Sequence, residues 1–506
     1  MATLVGVPTT HAIDLETVTV ARLLRLLADG HVTSADLVRA CTDRIAALDG
    51  AVGAIRALNP AAADEARAAD EARARGVRDR PLLGVPVLLK DNVDVAGMPT
   101  TAGSVALAAS YPAADATLVT GLRAAGAVVL GKTNLTEFAN FLADGMPGGY
   151  SSLGGQVLNP YDTAESPSGS SSGSAVAAAM GYAPLTVGTE TSGSILSPAA
   201  SNSVVGIKPT VGLVSRTGVV PIAAGQDTAG PMTRTVADAA RLLTALTGVD
   251  PEDAATAANP LADHDFTRDL RADALRGARI GVVRDQVPPG TTDSRVLWDA
   301  AVAVLREQGA TLVEVDLDTD EGFDSTVLNY EFKRDLNAYL ARLPAGAPVR
   351  TLADVIAHNE AHAGVALKFG QARALAAQAM DLSPGSADTA RHDADRARDL
   401  VESRDRLDGI MAGHDVTALL FAGAGGASIG AKSGYPSVSV PAGYLAANRR
   451  PFAIALLGSA WSEPELVGYA HAYEQAAGVW RPPSVINPTL FRRGARTGAS
   501  RTPGMS

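Results

Sequence analysis

Two Ser/Gly-rich loops on either side of a helix without bulky side chains constrain this chain most. The first reads Ser168-Gly169-Ser170-Ser171-Ser172-Gly173-Ser174 and the second Gly188-Thr189-Glu190-Thr191-Ser192-Gly193-Ser194. A small-residue helix and the apolar run Leu185-Thr186-Val187 separate them. Upstream, Lys90 ends the stretch Gly84-Val85-Pro86-Val87-Leu88-Leu89-Lys90, followed by Asp91 and Asn92. Two serines and a lysine suffice for a hydrolase that uses no histidine. No histidine occurs between His31 and His264, so a site built on these loops takes its base from elsewhere.

With 506 residues the chain can bury a large core or divide into two or three domains. A balance of 54 acidic against 43 basic residues, net −11, argues against a general nucleic-acid-binding role. Only six of the basic residues are lysines, so each is informative: 90, 132, 208, 333, 368 and 432. The single cysteine, Cys41, allows no intramolecular disulfide and no thiolate metal site, and its helical setting reads as core. The N-terminal residues lack a basic, then apolar leader pattern, and no later stretch is long and apolar enough to span a membrane. The expectation is a cytoplasmic protein without membrane attachment, metal or cofactor, monomeric or homodimeric. A secreted chain relieved of its leader would read the same.

Residues 17–75 read as helices, with Thr33-Ser34-Ala35-Asp36 as an N-terminal cap before Leu37, Val38, Cys41 and Ile45. From there short buried strands alternate with helices: Val85–Leu89, a helix over 115–125, Ala127–Leu130 and Leu185–Val187. This alternation predicts an α/β fold, a single-domain α/β/α sandwich on a mixed, largely parallel twisted sheet. Residues 246–265 read as a polar linker. A strand at Arg279–Arg284, a helix over 294–308 and a strand at Thr311–Leu317 follow. Residues 320–410 read as mostly helical. Strands return at Val416–Phe421, Ser437–Val440 and Phe452–Leu457. Ser462-Glu463-Pro464-Glu465 predicts a capping box on a last helix. The expected domain runs 1–491, with a core at about 80–245, a helical insertion at about 320–410 bordering the substrate pocket, and a disordered tail over 492–506.

Acyl transfer needs a nucleophile, a base and donors for the oxyanion. The loop 188–194 offers the backbone N–H groups of Thr191, Ser192, Gly193 and Ser194 with few side chains in the way, and Ser194 as nucleophile. A solvated lysine is charged at neutral pH and useless as a base. Burial lowers its pKa by up to several units. Lys90 follows five residues of buried character. Asp91, its neighbour, points to the opposite face of a strand and need not hold it charged. Ser170 is placed to bridge Lys90 and Ser194.

These motifs, together with Thr100-Thr101-Ala102-Gly103-Ser104, Gly131-Lys132-Thr133-Asn134, Gly206-Ile207-Lys208-Pro209-Thr210 and Asp227-Thr228-Ala229-Gly230-Pro231-Met232, resemble the amidase signature family. The similarity is dense over about 80–245 and weaker to about 484. It implies a Ser–Ser–Lys triad with Lys90 as base, Ser170 as bridge after a cis Gly169–Ser170 peptide, Ser194 as nucleophile, and the Thr191–Ser194 amides as oxyanion hole. Within the family the chain is most similar to peptide amidases, through Gly169–Ser174, Gly188–Thr191, Gly225–Met232, Phe369-Gly370-Gln371, Ala460–Pro464 and Tyr473-Glu474-Gln475. That implies a small-molecule or peptide amide substrate, foremost peptide C-terminal amides. Departures are Ser192 where Gly or Asp is expected, Leu196 where many amidases carry Arg, and Ser203 at a Gly-like position.

Other readings compete. Gly169–Gly173 matches a Gly-x-Ser-x-Gly nucleophile elbow, which would make Ser171 the nucleophile, but turn-forming residues rather than a strand precede it. His358 and His362 sit at i, i+4 without the glutamate position of a zinc motif. Gly423–Gly426 with Lys432 misses the P-loop spacing. Lys132 and Lys208 are rival bases with structural roles as the simpler reading. Asp227 and Arg234 are a candidate ion pair. The same triad could pass its acyl group to an amine, and the fold also suits an amidotransferase component or a silent scaffold.

Overall fold

The computed structural model describes residues 13–317 and 325–493. The 494–506 part of the expected tail lies outside the described residues, as do 1–12 and 318–324. The strands are β1 Ile55–Leu58, β2 Pro86–Lys90, β3 Val128–Thr133, β4 Tyr150–Ser151, β5 Gly155–Gln156, β6 Leu185–Glu190, β7 Val205–Lys208, β8 Thr228–Thr233, β9 Arg279–Val283, β10 Thr311–Val315, β11 Ala418–Ala422, β12 Ser437–Tyr444 and β13 Pro451–Leu457. Eleven of them form one mixed sheet in the order β1-β3-β2-β6-β8-β7-β12-β13-β11-β9-β10, while β4 and β5 pair separately. Parallel pairing occurs in two groups, β3-β2-β6 and β11-β9-β10. Antiparallel pairs join these groups through the middle of the sheet.

Strand β2 is buried along its whole length because its side chains alternate into two apolar layers. Val87 and Leu89 join one layer with Leu118, Val236 and Leu466, and Leu88 joins the other with Leu37, Val38 and Val176. A continuous apolar run is what a parallel strand covered on both faces requires. Fully burying such side chains stabilises the fold by about 1.5–3 kcal/mol each, which helps hold Lys90 inside.

The helix Ser172–Ala179 explains the small residues between the two loops. All eight of its residues are buried, against β6, β8 and β2. A Cβ at Gly173 would lie 2.3 Å from the Asn134 carbonyl oxygen and 2.5 Å from that of Ala54, so only glycine fits. Close approach of this helix brings the first Ser/Gly loop onto the end of β2.

The insertion contributes the helices Ser325–Arg342, Leu352–Ala361, Ala372–Gln378 and Ala387–His414. Leu328, Phe332 and Leu336 pack with Phe138, Phe141 and Ile222 in an apolar cluster of their own.

Three expectations need correction. Residues 17–75 are not all helical, because Ile55–Leu58 adds an antiparallel edge strand beside β3. Residues 246–265 are no loose linker: Asp250, Asp253 and Thr256 are buried, and the Asp250 carboxylate accepts from Ser215 at 2.6 Å and Thr117 at 2.8 Å. The capping box at 462–465 does not form. The Ser462 hydroxyl turns back to the Ser459 carbonyl at 2.7 Å, and Glu463 enters the core to accept the Thr210 amide at 2.6 Å. By contrast, the expected cap at Thr33 forms, and with the Asp36 side chain it closes a capping box.

Candidate active site

Lys90 ends β2 with no solvent exposure. Its Nζ donates to Ser170 Oγ at 2.7 Å, to Thr189 Oγ1 at 2.9 Å and to the Thr189 carbonyl at 3.2 Å. No carboxylate of the described residues bonds it. Burial pushes its ammonium down to about 7, against an opposing pull from Asp227 and Glu190. Asp91, on the opposite face, accepts from Thr101 and from Lys132 at 3.4 Å.

The other two lysines of this region are engaged away from the loops. Lys132 also donates to the Val93 carbonyl at 2.5 Å, and Lys208 reaches the Tyr435 carbonyl at 2.6 Å. Both are pushed down by burial, Lys208 to about 8. Neither bonds a serine.

Ser170 follows a cis peptide at Gly169–Ser170 and is fully buried. The Ser171 amide donates to the Ser194 carbonyl at 3.2 Å, which brings the two Ser/Gly loops together. Ser194 borders a cavity of about 240 Å³ with Ser192, Thr191, Gly169, Ile222 and Phe141. The helical insertion supplies Leu328 and Arg373 to the same cavity. Arg373 is paired with Asp144 at 2.7 Å and lies 5.4 Å from the Phe141 ring centre. Ser171 is placed differently. Its hydroxyl is buried, donates to the Thr189 carbonyl at 2.9 Å and accepts the Thr189 amide at 3.1 Å, so it braces β6.

The loop after β6 presents the amides of Thr191, Ser192, Gly193 and Ser194, which meet no acceptor among the described residues. The next two, Ile195 and Leu196, both donate to Glu190 Oε2, at 2.6 and 2.9 Å. Glu190 therefore ends the open run and pins the start of the following helix. Gly193 has φ of 80°, a backbone conformation costly for other residues. A side chain there would also crowd Ser197 Oγ at 3.1 Å and touch Ala427, which follows the glycine run after β11, at 3.6 Å.

Asp227 is not the partner of Arg234. Its carboxylate accepts from Thr191 Oγ1 and from the amides of Ile222 and Ala223, at 2.8 and 2.9 Å, and burial pushes it up to about 7. Arg234 instead donates to the carbonyls of Val18 and Ala178. Sequence reasoning missed Thr189 and Asn92 as neighbours of the lysine. Asn92 Nδ2 donates to Thr189 Oγ1 at 3.0 Å. Both residues sit inside the recognised motifs, which was the available signal. His358 and His362 stack on each other at 4.3 Å, and neither lines this cavity. Among the described residues no cluster of His, Cys, Asp or Glu could hold a metal, and no helix is long and apolar enough to cross a membrane.

A buried amine on a hydroxyl, beside open amides facing a cavity, is the equipment of an acyl-transferring enzyme. Comparison with known proteins agrees. The amidase family model matches residues 36–425. The structure resembles peptide amidase from Stenotrophomonas maltophilia with a TM-score of 0.85 and 43% identity, over 92% of this chain and 98% of that one. A probable amidase of Arabidopsis thaliana is 39% identical over 90% of this chain and 89% of its own. A glutamyl-tRNA(Gln) amidotransferase subunit from Exiguobacterium sibiricum is 34% identical, over 92% of this chain and 98% of its own. The chain belongs to the amidase signature family. It is an amidase, acting on amide C–N bonds.

Proposed function

We propose that the protein hydrolyses linear carboxamides through an acyl-enzyme, with peptide C-terminal amides or related acyl amides as substrates. Neutral Lys90 takes a proton from Ser170 as Ser170 takes one from Ser194, and the Ser194 oxygen attacks the carbonyl. The amides of Thr191 to Ser194 stabilise the oxyanion, each worth the most where charge develops and water is excluded. The proton returns along the same relay to the leaving nitrogen. Water then repeats the sequence on the acyl-enzyme. The observation carrying this reading is the 2.7 Å contact from the Lys90 amine to Ser170 in a site without a bonded carboxylate.

Likeness to a peptide amidase over nearly the whole of both chains supports the substrate class. The test is incubation of the purified chain with amidated and free-acid peptide pairs, following ammonia and the new carboxylate. Turnover of simple acyl amides alone would remove the peptide preference.

A second reading is favoured by the similarity to the glutamyl-tRNA(Gln) amidotransferase component, a protein that by its name works in an assembly. In that reading the chain is inert or slow until a partner binds. Robust turnover by the isolated chain excludes it. Capture of the acyl group by an amine is separated from hydrolysis by product analysis with and without added amine.

A further inference from the structure

A second cavity, the rear one, has a volume of about 500 Å³ and is bordered by Asp94, Asp115, Glu252, Asp335 and Arg342. A neck of about 10 Å³ lies between it and the front cavity. The neck shares Arg216, Val219 and Asp227 with the rear cavity, and Ala139, Thr191 and Ile222 with the front one. Its remaining wall includes Asn92 and Thr189, the residues packed around the Lys90 amine.

The neck has the size and the polarity for one water molecule, which needs about 10–15 Å³ and two to four polar partners. Asn92 is 1% exposed and its Oδ1 takes no hydrogen bond from the protein. Thr189 Oγ1 already accepts from Lys90 and Asn92, so its own proton is left to donate. Asp227 supplies a carboxylate, and Arg216 is held aside by Asp253 and the Ala224 carbonyl.

We propose that the neck binds a single water molecule, and that this water connects the Lys90 amine to the rear cavity. The inference rests on Lys90 acting as the base. The relay returns each proton it borrows, but the carboxylic acid formed at deacylation ionises, and a fully buried lysine that takes up that proton needs another way to lose it while product fills the front cavity. As the Lys90 proton passes to Thr189 Oγ1, the Thr189 hydroxyl proton passes to the water. One proton of the water passes in turn to Asp227 or to solvent in the rear cavity. Reversal of the steps recharges the amine. The acidic rear wall favours the departing proton, and burial that lifts Asp227 to about 7 makes it a proton carrier near neutrality.

Two measurements test this. A crystal structure of the protein at a resolution that shows waters should place one within hydrogen-bond distance of Asn92 Oδ1, and a dry neck overturns the proposal. The second is Val219→Phe, a filling substitution at a half-buried residue outside the triad and the amide loop. Its ammonia release in the first turnover should keep the wild-type rate, while steady-state turnover falls several-fold. An equal fall in both rates, or no change in either, overturns the route. Val219→Leu gives the same comparison should the larger ring fail to fold. Activity surviving in Lys90→Ala would sink the underlying reading instead, without bearing on the water.

Discussion

Asp91 directly follows Lys90, yet the two side chains point to opposite sides at the end of β2. Lys90 Nζ meets Ser170 Oγ at 2.7 Å, whereas the Asp91 carboxylate meets Lys132 Nζ at 3.4 Å. Strand alternation thus separates a buried ion pair from a buried amine one residue away. The amine without a bonded carboxylate is the one that meets a serine hydroxyl, and burial lowers its pKa to about 7.

The ion pair is expected to matter for stability rather than chemistry. Asp91→Ala leaves Lys132 buried without its carboxylate, and breaking such a pair costs about 3–5 kcal/mol. Denaturant unfolding would read the loss. A change well under 1 kcal/mol would mean that the other oxygens around Lys132 suffice without Asp91.

Lys90→Ala should lower kcat by about 10²–10⁴-fold, the range for loss of a general base. Lys90→Arg should fare no better, because a guanidinium stays protonated. Steady-state assays on the folded variants check both. Activity within a few-fold of wild type in either one would remove Lys90 from the relay.

The pH dependence follows from the sign of the Lys90 shift. Its pKa is lowered from the ordinary value to about 7, so the neutral amine accumulates as pH rises through that value. kcat/KM should therefore climb from pH 6 to 8 on a limb centred near 7. The same shift affects stability. Between about 7 and the ordinary lysine value the unfolded chain binds more protons, so this group's contribution to stability rises with pH across that window. A kcat/KM profile flat from pH 6 to 8 contradicts the assignment.

Ser194→Ala and Ser171→Ala should separate chemistry from structure. The first should abolish turnover, by about 10⁴-fold or more, as expected for a nucleophile. The second leaves both the Thr189 carbonyl and amide without their hydroxyl partner, costing about 1–3 kcal/mol of stability. Its kcat should stay within tenfold of wild type. The reverse pattern would restore the elbow reading.

Gly173→Ala probes the helix that joins the two loops. Its Cβ would fall 2.3 Å from a backbone oxygen, so a loss of about 1–3 kcal/mol is expected from overpacking. Unchanged thermal stability would mean the helix can withdraw from β3.

The central layer was legible because its signals are local. The run into Lys90 is apolar on both faces, and Ser/Gly tracts mark loops whatever surrounds them. The edge strand Ile55–Leu58 was not legible, because it is only partly buried and sits among strong helix formers. The capping pattern at Ser462 misled, since the Ser462 hydroxyl is spent on the Ser459 carbonyl instead of the helix amides. Asp227 and Arg234, close in sequence, turn to different partners because each buried charge settles where backbone groups can satisfy it. Thr189 meets the lysine across two strands distant in sequence, which no local pattern encodes, and Asn92, two residues after Lys90, bonds the same Thr189 hydroxyl.

Covalent labelling reports on the relay most directly. A fluorophosphonate applied to the folded protein, followed by peptide mapping, should mark Ser194 alone, and Lys90→Ala should slow that labelling by orders of magnitude. A label on Ser171, or labelling of Ser194 at an undiminished rate without the lysine, would contradict the account.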